Sequence, residues 1–75
     1  MKNKVMRFTA IRRLRGMSLS SLSIASGINV SMLSRMEHFK QQPTEKHLLA
    51  IADALDWKDD VRRLFDVIDP MEIEV

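Results

Sequence analysis

The run from Ser18 to Glu37, "SLSSLSIASGINVSMLSRME", constrains the fold more than any other part of the chain. Seven serines crowd it, and Ser/Gly-rich segments ordinarily stay mobile. Its apolar residues argue for order instead. Leu19, Leu22, Ala25, Ile28, Leu33 and Met36 recur at intervals of three and five around the single Gly27, the pattern of two short helices meeting at a turn. Ser18 suits the cap of the first, Gly27 lets the chain turn sharply, and Asn29 suits the cap of the second, which runs to about His38.

The flanking sequence supplies surfaces for these helices to bury. Phe8, Ile11 and Leu14 predict a first helix from about Val5 to Arg15, stopped by Gly16. Pro43 ends the segment after the third helix, and Thr44 caps a fourth with Leu48, Ile51, Ala52 and Leu55 along one face. Val61, Leu64, Phe65 and Ile68 repeat that stripe in a fifth, with Asp59 and Asp60 at its positive end and Pro70 closing it. Short connections and the lack of alternation before the tail predict a compact all-α domain of four to five helices over residues 1–69. Residues 70–75 form a tail whose "MEIEV" alternates like a half-buried strand, either a frayed end or an edge that pairs with another chain.

A chain of 75 residues has a small core, which makes a homodimer a reasonable expectation. Without cysteine there is no disulfide framework and no thiolate metal site, consistent with a reducing compartment. No uninterrupted apolar stretch suggests a signal peptide or membrane span, so a cytoplasmic protein is expected, with no membrane partner. Charge is polarised. Residues 1–40 hold eight Lys/Arg against one acid, a formal +7, while residues 41–75 hold four against nine acids, a formal −5. A basic half suggests a polyanion such as double-stranded DNA; the alternative is that basic side chains merely solvate helix surfaces.

The third helix bears on that choice. With Leu33 at the centre of its buried side, a step of about 100° per residue puts Met36, Glu37 and Val30 toward the core. Ser31, Ser34, Arg35 and His38 then share the open side, which is short, polar and basic. A helix entering the DNA major groove needs such a surface, with hydroxyls for phosphates or base edges and an arginine able to fork onto guanine. Met32 is the methionine that falls off the core positions, either an apolar contact to a thymine methyl together with Val30 or an adaptable surface residue. His38 and His47 have no metal-ligand spacing, the serines lack a base partner, and the two glycines sit at helix ends. No metal, cofactor or enzymatic activity is expected. Trp57 is expected as a core or dimer anchor.

Together with "IRRLRGMS", Leu22, Gly27, "SMLSRME", Pro43 and "LLAIADAL", the run resembles the helix-turn-helix domain of the phage Cro and repressor group, the XRE family. The resemblance spans about Met6 to Phe65. It implies a five-helix, lambda repressor-like fold in which the third helix reads DNA. Val30 and Ser31 fall where base edges are usually met, and Arg35 one turn later faces the same groove. Ser18 and Ser20 lie over phosphate at the start of the second helix, while Lys40 and Gln41 are placed for phosphate or flanking contacts. Asn29, Met32, Ser34 and His38 complete the expected DNA-binding set. Arg12 and Glu37 match a structural pair, in keeping with an inward-pointing carboxylate that needs a partner. Three positions depart from the pattern. Leu19 stands where Gln is frequent, Ser23 and Ser26 replace small or apolar inward residues, and Phe39 replaces a usual Gly. The serine hydroxyls are expected to bond helical carbonyls and to loosen the second helix.

These observations predict a small sequence-specific DNA-binding transcriptional regulator, a repressor acting as a homodimer on a palindromic operator. The dimer surface is expected on the acidic half, through Phe65, Ile68, Met71, Ile73 and Val75. The alternative is an antitoxin or anti-regulator that binds a toxin or co-regulator through the same half, with the tail adding a strand to the partner.

Overall fold

The computed structural model describes residues 4–69. In chain order it comprises β1 (Val5–Met6), α1 (Arg7–Leu14), α2 (Leu19–Ser26), α3 (Val30–Glu37), α4 (Glu45–Leu55), a 3₁₀ helix (Val61–Phe65) and β2 (Val67–Ile68). The fold is mostly helical, as expected, and the caps fall on the residues whose side chains favour them. Ser18 Oγ accepts from the Ser21 amide at 3.0 Å, and Asn29 Oδ1 accepts from the Ser31 amide at 2.7 Å. At Thr44 a full capping box forms, with Thr44 Oγ1 accepting from the His47 amide and His47 Nδ1 accepting from the Thr44 amide, each at 3.2 Å.

One core joins these elements. Phe8, Leu22, Leu33, Met36, Ile51, Leu55 and Leu64 are closed to solvent, and the Phe8 ring stacks on Phe65 at 5.9 Å between centroids. Trp57 packs at the edge of the core, donates Nε1–H to the Asp60 carbonyl at 3.0 Å, and carries the Arg63 guanidinium 6.0 Å from its ring.

Both ends of the domain depart from the sequence expectation. Val5 and Met6 do not open the first helix; they pair antiparallel with Ile68 and Val67. This pairing completes α1. Met6 has no side chain able to cap, and the orphan Arg7 amide donates to the Asp66 carbonyl at 2.8 Å. The stripe Val61, Leu64, Phe65 and Ile68 does not run along one α-helix either. A 3₁₀ turn stops at Phe65, Asp66 is extended, and Ile68 reaches the core from β2 with 5% exposure. Asp60 caps that turn by accepting from the Arg62 amide at 3.0 Å, while Asp59 pairs with Arg63 at 2.6 Å. Ile68, expected on a dimer surface, therefore belongs to the chain's own core, and Phe65 is half-buried against Phe8. Pro70 and the tail residues Met71, Ile73 and Val75 lie outside the described residues.

Candidate nucleic-acid interface

The turn between α2 and α3 sets the angle at which α3 is presented. Gly27 takes φ 75°, a left-handed conformation that a side chain would disfavour, and its amide closes on the Ser23 carbonyl at 2.8 Å. Ser23 and Ser26 bond across this turn, not to helical carbonyls. Ser23 Oγ donates to the Ile28 carbonyl at 2.6 Å, and Ser26 Oγ accepts from the Ile28 amide at 3.2 Å. Both backbone groups of Ile28 are thereby held from α2. The two serines expected to loosen the helix instead brace the turn.

A second brace ties α3 to α1. Arg12 forks onto Glu37, with Nε donating to Oε2 at 2.8 Å and Nη2 to Oε1 at 3.2 Å, while Nη1 donates to the Met17 carbonyl at 2.7 Å. The side chains are only 11% and 7% exposed, so each charge is largely withdrawn from water and met by the other. Leu33 and Met36 fix the inner side of α3 in the core.

The outer side of α3 carries Ser31, Arg35 and His38, all exposed, with Ser34 half-buried beside them. Val30 also emerges at the start of the helix, 39% exposed, although the helical projection turned it toward the core. His38 Nδ1 donates to the Ser34 carbonyl at 2.7 Å, which closes the end of the helix. Met32 stands elsewhere. It is half-buried on the core and lines a shallow depression of about 310 Å³ with Asn29, Lys46 and His47. Ser18 and Ser20 are exposed at the start of α2, where the first amides of a helix lack intrahelical partners and favour an anion. Leu19 is packed against the core. Lys40 is exposed and Gln41 half-buried in the loop after α3.

The basic half is less free than its formal charge suggests. Arg12 is held by Glu37, and Arg7 donates to the Arg63 carbonyl at 3.1 Å and lies 3.6 Å from Asp66. Arg13, Arg15, Arg35 and Lys40 stay exposed. The shifted carboxyls lie in the other half. Asp60 is held below the ordinary carboxylate range by the amide and guanidinium of Arg62, and Asp56 by hydrogen bonding and charge from Lys58.

Two roles escaped the sequence. The capping box at His47 had a signal, Thr44 with a hydrogen-bonding side chain three residues on, but imidazole in place of Glu or Gln concealed it. The contact of Arg35 Nε with Gln41 Oε1, at 3.4 Å, had none.

Among the described residues no group of His, Cys, Asp and Glu could hold a metal ion, and no helix is long and apolar enough to cross a membrane. Neither the curated proteins nor the solved structures give a match to this chain. The family model described as helix-turn-helix matches residues 9–59, more than half the chain, including α2, the Gly27 turn and α3. The chain therefore belongs to the Cro/C1-type, or XRE, family of helix-turn-helix DNA-binding domains.

Proposed function

We propose that the protein is a sequence-specific transcriptional repressor that binds a palindromic operator as a homodimer, with α3 in the major groove. The observation that carries this is the two-sided character of α3, with Leu33 and Met36 fixed in the core and Ser31, Arg35 and His38 exposed on the opposite side. A rigid helix with small hydroxyls and one arginine can approach base edges without a clash, and the start of α2 beside it can meet phosphate. Ser18, Ser20, Asn29, Val30, Ser31, Ser34, Arg35, His38 and Lys40 form the contact set, with Gln41 against Arg35 at its edge. Met32, packed on the core, contributes by holding the helix.

One short helix reads only a few base pairs, so operator recognition calls for a second copy related by a dyad, with half-sites about 34 Å apart. In the acidic half, the half-buried Phe65 and the 54%-exposed Val67, at the end of the 3₁₀ helix and the start of β2, are the surface we assign to it. Selection from a random duplex library at near-physiological salt tests the proposal. The expected product is a palindrome with that spacing; retention of DNA without any enriched sequence would refute specific recognition.

A further inference from the structure

The loop that leaves α3 folds back onto it. Phe39 takes φ 64°, the left-handed conformation that non-glycine residues seldom adopt. Its amide donates to the Met36 carbonyl at 3.2 Å, and the next amide, Lys40, donates to the Arg35 carbonyl at 2.8 Å. This closed turn reverses the chain so that Gln41 returns alongside Arg35, and Gln41 Oε1 accepts from Arg35 Nε at 3.4 Å.

Resting on the DNA-reading role proposed above, we infer that Gln41 is a positioning residue for base recognition: it holds the Arg35 guanidinium with its terminal fork directed outward. A guanidinium presents five N–H groups in a rigid plane and can meet two acceptors either side-on, through Nε and one Nη, or end-on, through both Nη. With Nε given to Gln41, the end-on edge is left. Nη1 and Nη2 of Arg35 make no hydrogen bond among the described residues. The ligand this suits is a guanine, whose O6 and N7 accept side by side in the major groove. The bond is long and weak by itself. Its effect is on freedom: Arg35 is exposed, Gln41 is half-buried directly after a closed turn, and a contact between them restricts Arg35 before DNA arrives.

The test uses the full chain as wild type, Arg35→Ala, Gln41→Ala, Gln41→Glu and the double alanine variant. Sites are selected from random duplexes and then titrated, with each base pair changed in turn. Arg35→Ala is expected to relax preference at one base pair per half-site. Gln41→Ala should relax the same pair by about 3- to 10-fold, the effect of losing one modest hydrogen bond, and leave the other positions unchanged. Gln41→Glu keeps an acceptor and should keep the preference while affinity falls evenly. The double variant should be no less discriminating than Arg35→Ala. An even loss of affinity on all sequences in Gln41→Ala, or the same loss in both Arg35 backgrounds, would make Gln41 an independent backbone contact and overturn the inference. Failure of the wild type to select any sequence would instead refute the DNA-reading role itself, and the inference with it.

Discussion

Replacing Arg12 by Met removes the charge and the hydrogen bonds while keeping an unbranched apolar stem. In the native chain both Glu37 oxygens are met by the Arg12 fork at 2.8 and 3.2 Å, in a site where the two side chains are 11% and 7% exposed. The variant strands that carboxylate. Removing one partner of a buried pair costs about 3–5 kcal/mol, and the residual exposure here favours the lower end, about 3 kcal/mol. For a domain of this size, that corresponds to a fall of roughly 12–24 °C in melting temperature. Total stability at 75 residues is on the order of 4–11 kcal/mol, so the loss is a large fraction of it. Thermal and urea unfolding followed by circular dichroism, at fixed pH and salt, measures it. The further change Glu37→Leu removes the stranded charge and should return stability to within about 1–2 kcal/mol of wild type, the remainder reflecting the Met17 carbonyl that loses its donor. A loss under about 1 kcal/mol in Arg12→Met would class the pair with exposed ones and refute its bracing role. So would a double variant no more stable than the single.

Other perturbations follow from single sites. Asp60→Asn should flatten the acid limb of the stability curve: the lowered Asp60 pKa gives stability that is present above the unfolded value of about 3.9 and lost as pH falls through the folded one, and melting temperatures across that range check it. Phe39→Gly relieves a left-handed residue, worth about 1–2 kcal/mol, against about 0.4–1 kcal/mol of added unfolded-state entropy. Urea unfolding should show a net gain near 1 kcal/mol, and a loss would mean that the exposed ring has stabilising contacts. Thr9 is 2% exposed and its Oγ1 has no partner among the described residues, so Thr9→Val should raise stability by about 1 kcal/mol in the same assay; a decrease would show that the hydroxyl is bonded.

The legible parts of the fold were those that local chemistry decides. Ser18, Asn29 and Thr44 cap helices through contacts within three residues, and the stripe on α4 needs only its own period. The β1–β2 pair was hidden because it joins Val5 to Ile68, far apart in sequence, through strands too short to alternate. The sequence of the 3₁₀ turn reads as an α-helix because over Val61–Phe65 periods of 3.0 and 3.6 are nearly indistinguishable. Ile68 lent itself to that error, since it enters the core from a strand just beyond the turn. At the interface, helical projection separated Leu33 and Met36 from Ser31, Arg35 and His38, but it could not show how Ser23 and Ser26 would be satisfied. Their partner, Ile28, comes within reach only once Gly27 has turned the chain. The Arg35 contact with Gln41 was harder still, because it depends on Phe39 adopting a conformation its side chain disfavours.

Backbone amide chemical-shift mapping during titration with the selected duplex tests the central claim most directly. Shifts concentrated on Ser18–Ser21 and on residues 29–41, with little change in α4 and the 3₁₀ helix, are the predicted result. Shifts centred on Asp53–Arg63, with Ser31 and Arg35 unmoved, would contradict the claim that α3 reads DNA.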